Sequence, residues 1–174
     1  MSDDPRIAAA RAAIESTVRT LAEADARTEL RAEIVEPRRV LGVRRSPQLH
    51  PRGRVWRLGV LLLDDSGALF ATGASVRAAD PKHLALQSSV AYQRREVKVM
   101  ARAAGVPDGE TIDLDALPLD LAELTPAEPN LGPLVLADDG VRVRWAPGAA
   151  TVPLDAYLRE RAELLAHPLP GSVD

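Results

Sequence analysis

Cysteine is absent from the 174 residues. That removes disulfides, thiolate metal sites and cysteine nucleophiles together. Aromatic residues make up only 3% of the chain. The core must therefore be packed mainly from Leu, Val, Ile and Ala, which bury less area per residue than aromatic rings. Lysine is scarce as well: Lys82 and Lys98 stand alone, and every other cationic side chain is an arginine. With abundant alanine, this reads as the codon bias of a GC-rich genome before it reads as function. Long apolar runs are missing too. Val60 to Leu63 is the longest strongly apolar stretch, far too short to span a bilayer. Met1 to Arg6 leads straight into Ala-rich amphipathic sequence without a signal-peptide core, so the expected location is cytoplasmic.

What is present is a globular composition, 46% hydrophobic and 27% charged. The length suits one domain over residues 1–174. Asp4 and Pro5 supply an N-cap and a first-turn proline. Ile7, Ala10, Ile14, Val18 and Leu21 then recur at helical spacing. Leu30 and Ile34 are read as a further short helical turn, closed by Pro37. Three strands are expected next: Arg39 to Arg45, Val55 to Leu63, and Ala68 to Val76. Ser46 to Gly53, with two prolines and a glycine, is read as a loop. Asp64-Asp65-Ser66-Gly67 is the turn of the clearest hairpin. Leu61, Leu62 and Leu63 in succession imply a strand covered on both faces.

Asp80-Pro81 punctuates the start of a second helix carrying Leu86, Val90, Val97, Met100 and Ala104, with Gly105 and Pro107 at its end. Residues 106–133 are acidic and proline-rich and are expected to be mainly ordered loop, with a short strand at Thr111 to Leu114. A second hairpin is expected from Leu134 to Ala137 and Val141 to Trp145, turning at Asp138-Asp139-Gly140. In its second strand Val141, Val143 and Trp145 alternate with Arg142 and Arg144, giving one buried and one wet face. Pro153 opens a last helix with Leu154, Leu158, Ala162 and Leu165 on one side, ended by His167-Pro168. The spacing Leu58-Gly59-x-Leu61-x-Leu63-x-Asp65-x-Gly67 returns as Leu131-Gly132-x-Leu134-x-Leu136-x-Asp138-x-Gly140. Either a duplication or shared turn chemistry produces such an echo, and the balance favours turn chemistry.

Charge is unevenly laid out. Arg38, Arg39, Arg44, Arg45, Arg52, Arg54 and Arg57 lie between Pro37 and Leu63 with no acid among them. Nine acids, Asp108, Glu110, Asp113, Asp115, Asp120, Glu123, Glu128, Asp138 and Asp139, lie between Ala103 and Val141 with no base among them. The formal net charge of −3 hides this asymmetry. The seven arginines are the candidate binding residues, for an anionic ligand or an acidic partner. The plainer alternative pairs the two segments with each other, within a chain or across a homo-oligomer. Nucleic acid ranks behind both, since Trp56 is the single aromatic in the basic stretch and offers no stacking platform. Arg95, Lys98 and Arg102 form a stripe on the second helix, read as its solvated face.

Catalytic and metal signatures are thin. His50, His83 and His167 have no zinc-ligand spacing. Asp64-Asp65 and Asp138-Asp139 each precede a turn glycine, which explains them without a metal. Ser88-Ser89 is the one candidate nucleophile pair, yet neither serine has a lysine three residues on or sits in a nucleophile elbow. Glycine-rich phosphate loops are absent. No cofactor and no metal are expected.

Trp56-Arg57-Leu58-Gly59-Val60-Leu61-Leu62, Leu69-Phe70-Ala71-Thr72-Gly73, Val143-Arg144-Trp145 and Pro153-Leu154-Asp155-Ala156-Tyr157-Leu158-Arg159-Glu160-Arg161 resemble a family of small actinobacterial proteins of uncharacterised function. The resemblance covers most of the chain after about Glu36. Some members are labelled glutaminase, which implies a small-molecule amide hydrolase and carries no catalytic residue across.

The expectation is an α+β fold, a largely antiparallel sheet of a three-stranded meander plus a hairpin, covered by about three helices. The expected role is a small binding or interaction protein with a basic β-surface, leaning away from an enzyme. A glutaminase-like amide hydrolase and a nucleic-acid binder are the alternatives.

Overall fold

The computed structural model describes residues 4–36, 46–78 and 89–168, with side chains in the 89–94 stretch left aside. Arg38, Arg39, Arg44, Arg45, Asp80, Pro81, His83, Leu86 and Ser88 lie outside the described residues, as does the strand expected over Arg39 to Arg45.

Helix α1 (Pro5–Glu23) forms as its punctuation requires. Asp4 accepts from the Arg6 backbone N–H at 2.9 Å, and Pro5 occupies the first turn. The Arg6 guanidinium also bonds this carboxylate and holds it below the usual carboxylate range. The depressed pKa means the cap contributes at neutral pH and is lost only as pH falls through that lowered value. Ile7, Ala10, Ile14 and Leu21 form the buried face. The helix ends with Asp25 at φ 49°, the Ala26 N–H donating to Leu21 O and the Asp25 N–H to Ala22 O. This double bond satisfies carbonyls that the last turn leaves open.

Leu30 and Ile34 belong to a strand, β1 (Glu29–Val35), and not to a helical turn. A spacing of four fits both a helix and a strand. The deciding residue is Ala32, which is buried between them, so 30, 32 and 34 share one face at period two. The loop expected over Ser46 to Gly53 is corrected as well. Strand β2 runs Gln48–Leu58. Over its first part, β1 is its hydrogen-bonded neighbour among the described strands, and such an edge position tolerates Pro51.

The strand expected from Val55 to Leu63 is broken by a tight turn. β2 ends at Leu58, Gly59 and Val60 form the turn, and β3 is Leu61–Leu63. Gly59 has φ +66° while Val60 stays at negative φ, the pattern of a two-residue hairpin whose first position demands glycine. β4 (Leu69–Ala71) pairs with β3 as expected, with Leu62 opposite Phe70. Asp64 locks the connecting turn by accepting from Ser66 N, Ser66 Oγ and Ala68 N. The third strand stops at Ala71, and β5 (Ala74–Arg77) pairs elsewhere, with β6 (Thr111–Leu114).

Helix α2 (Ser89–Ala103) buries Val97 and Ala101 and exposes Arg95 and Arg102, and Ala104, expected on its apolar stripe, lies just past its end and is exposed. Gly105 at φ +75° ends it, with Val106 N–H on Ala101 O and Gly105 N–H on Arg102 O. Residues 106–133 hold more regular structure than expected. They contain β6, β7 (Leu117–Leu119), a 3-10 turn at Leu121–Glu123, and β8 (Asn130–Leu131). Short two- to four-residue strands carry too little periodicity to be read from sequence. β9 (Leu134–Ala137) and β10 (Gly140–Val143) form the expected second hairpin. Because β10 ends at Val143, Trp145 falls beyond the strand and is exposed, contrary to the buried position expected. β11 (Val152–Pro153) pairs with β10 and leads into α3 (Leu154–Ala166), which buries Leu154, Tyr157, Leu158 and Ala162.

The fold is thus mixed α/β with mainly antiparallel pairing. The β1–β6 pair departs from the antiparallel expectation: the two strands run parallel, with Arg31 opposite Asp113. Parallel neighbours need a long crossover, and the chain between β1 and β6 supplies it.

The chain packs as two compact units. The first comprises Met1–Thr28, Val55–Thr72 and Leu117–Asp174; the second comprises Glu29–Arg54 and Gly73–Ala116. In the first unit the hydrogen-bonded strand order is β2-β3-β4-β7, beside a four-stranded sheet β11-β10-β9-β8. In the second it is β5-β6-β1-β2. The sequence echo has a structural counterpart in the first unit: Leu58 pairs with Leu61 across Gly59-Val60, and Leu131 pairs with Leu134 across Gly132-Pro133. Both meanders contribute Leu61, Leu63, Leu134 and Leu136 to the same core.

Among the described residues the first core has twenty buried apolar residues and the second eight, three of them Ala32, Ala78 and Ala101. Smaller burial gives smaller local stability. Amides of Leu61–Leu63 are therefore expected to exchange with deuterium at least about tenfold more slowly than those of Ala74–Arg77. Peptide-level exchange measured by mass spectrometry checks this; equal protection of the two cores would contradict it.

Candidate arginine-bearing surface

β2 carries Arg52 and Arg54 within the second unit, where Gly53 between them adopts φ +125°. Both arginine side chains are about half exposed. Arg52 pairs with Glu33 of β1, with Nη2 to Oε2 at 2.9 Å and Nε donating to the same oxygen at 2.9 Å. Arg54 pairs with Glu110, from the connection before β6, at 3.1 Å. Arg31 of β1 closes the group: one guanidinium nitrogen lies 3.9 Å from Glu33, and another donates to the Arg52 carbonyl at 3.2 Å. Three arginines are thus set against two glutamates on adjacent strands and one connection. Arg57, further along β2 and opposite Leu62, is half-buried and belongs to the first unit.

Of the seven candidate arginines, the structure therefore brings Arg52 and Arg54 together and places Arg57 apart from them. The Arg54–Glu110 pair joins the acid-free and base-free segments of the sequence directly. Two members of the group, Arg31 and Glu33, escaped the sequence reading because β1 was taken for a helical turn. The alternation Leu30-x-Ala32-x-Ile34 was the signal that could have found them.

Among their described residues the second unit carries eight Lys and Arg against eight Asp and Glu, and the first unit nine against fourteen.

The other sequence candidates resolve simply. His50 and His167 are exposed. Asp64 is used by its turn. Asp139 pairs with Arg142 at 2.7 Å, and Arg142 also donates to Thr151 Oγ1 and Thr151 O, tying the β9–β10 turn to the approach to β11. Arg142 is therefore half-buried and structural, although its strand position suggested a freely wet side chain. Among the described residues no group of three His, Asp or Glu could hold a metal ion. No helix among them is long and apolar enough to cross a membrane.

No family model, no curated protein and no solved structure matches the chain.

Proposed function

We propose that the protein is a small binding protein that recognises an acidic partner through the arginine-bearing surface of β2, with Arg52 and Arg54 in contact. The carrying observation is the group of three arginines, Arg31, Arg52 and Arg54, set against two glutamates on β1, β2 and the connection before β6. The geometry of the two arginines supports the reading. Arg52 is held by a solvent-exposed ion pair to Glu33, and such pairs are worth only about 0–1 kcal/mol, while Glu110, the partner of Arg54, is largely buried. A partner presenting several carboxylates can replace Glu33 at little cost and add to the half-exposed Arg54, since arginine's planar fork binds a carboxylate through two parallel bonds.

The expected result is retention on immobilised polyglutamate at low ionic strength, falling steeply as salt is raised. Arg52→Ser with Arg54→Ser should shift elution to clearly lower salt without altering the circular dichroism spectrum. Passage of the wild-type protein straight through the column, at about 20 mM salt where screening is weak, would sink the reading. Stronger retention on immobilised RNA than on polyglutamate would move the assignment to nucleic acid. A second copy also offers acidic surface, since the described residues of its first unit include fourteen Asp and Glu against nine Lys and Arg. Light scattering across a salt series separates the two cases, as self-association would raise the mass at low salt in the absence of any partner.

A further inference from the structure

Within the first unit a cleft of about 370 Å³ opens between α1, the β3–β4 turn and the β7 strand end. Its volume falls in the range of small-molecule sites. Ile14, Leu69, Phe70 and Leu119 line it with apolar surface, and all four are buried. Three charged side chains line it as well: Arg11 and Glu15, one turn apart on α1, and Asp120 at the start of the 3-10 turn. Arg11 and Glu15 are exposed, and neither makes an ion pair or side-chain hydrogen bond among the described residues. Asp120 spends one oxygen on the Ala122 N–H at 2.9 Å. The other remains for a ligand.

The geometry points to a binding site for a small zwitterion with an apolar side chain, an α-amino acid or a dipeptide. A guanidinium and two carboxylates in one cleft reject ligands of a single sign. An anion would meet Glu15 and Asp120, and a cation would meet Arg11. A zwitterion satisfies both: its carboxylate matches the fork of Arg11, and its ammonium donates to the two carboxylates. The apolar side chain then covers Phe70 and Leu119. This site is separate from the β2 arginines, so each reading stands or fails alone.

The test is a titration of the full-length, 15N-labelled protein with L-leucine, leucinamide and N-acetyl-leucine, followed by amide chemical shifts. Leucine is expected to give saturable shifts centred on Gly67, Ala68 and Phe70. Leucinamide lacks the carboxylate and N-acetyl-leucine lacks the ammonium, so each should bind about tenfold more weakly or worse, the loss of one charge-assisted contact. Arg11→Gln should weaken leucine by a similar factor and strengthen leucinamide, which loses a repulsion. Glu15→Gln should weaken leucine and strengthen N-acetyl-leucine for the same reason. Both positions are on the exposed side of α1, and retained spectral dispersion verifies that the variants fold. The proposal is overturned if leucine, phenylalanine and Leu-Leu all fail to saturate these amides, if leucinamide binds as tightly as leucine, or if the shifts centre elsewhere.

Discussion

Tyr157→Ala should lower the melting temperature by roughly 10 °C, the consequence of losing about 3–5 kcal/mol. Tyr157 is buried on α3, and its ring packs in the larger core. Its hydroxyl accepts a hydrogen bond from Val60 N–H at 3.0 Å, holding the β2–β3 turn from the helix side. The Arg161 guanidinium lies 5.4 Å from the ring centroid, within reach of a cation–π contact. Removal of the ring opens a cavity and releases the turn together. Tyr157→Phe separates the two effects. It keeps the packing and loses the acceptor, so it should cost only about 1 kcal/mol. Thermal unfolding of both variants measures the difference. An alanine variant within about 1 kcal/mol of wild type would show that the ring is not part of a tightly packed core.

Gly73→Ala should be nearly as damaging, by a different route. A Cβ on Gly73 would sit 2.6 Å from Asp115 O, and closer still to Leu114 O. These are backbone atoms of the β6 end, so no side chain can rotate away. β5 begins at the next residue, with Ala74 opposite Leu114. The added methyl must push β5 off β6, or distort the turn where Asp115 already adopts φ 56°. Such overpacking costs about 3 kcal/mol. The loss should fall on the second unit, to which β5 and β6 belong. Hydrogen exchange should show faster exchange for Ala74–Arg77 and Thr111–Leu114, while Leu61–Leu63 stay protected. Unchanged exchange in β5 would mean that the approach of Gly73 to β6 is looser than described.

Neither position stood out in the sequence. Tyr157 lies between Leu154 and Leu158 on a helical stripe and announces burial, but not that its hydroxyl reaches a turn 97 residues away. Gly73 falls inside the strand expected over Ala68 to Val76, and backbone approach leaves no mark on composition. The legible parts were those with local causes. Asp4-Pro5, Asp64 to Gly67, Asp138-Asp139-Gly140 and Gly105 each act on their own few residues, and each is found where expected. β1 was missed because a four-residue spacing fits two periodicities. The first half of β2 was missed because Pro51 and Gly53 argue for a loop until an edge position is known.

The arginine surface divides in the same way. The block of seven arginines, and the base-free stretch that answers it, are properties of the chain and were readable directly. Which arginines cooperate is not such a property. Arg52 and Arg54 meet Glu33 and Glu110 only because β1 and the approach to β6 lie beside β2.

By itself, then, the sequence determined the absence of thiol chemistry, the aliphatic core, the Asp4-capped first helix, the two hairpin turns and the sign of charge along the chain. These follow from residue identity and contacts a few positions apart. Only the tertiary structure decided the parallel pairing of β1 with β6, the separation into two cores, and the pairing of Arg52 and Arg54 with Glu33 and Glu110. Those depend on which distant segments meet. That choice is made by burial summed over the whole chain, where no single residue carries the deciding free energy.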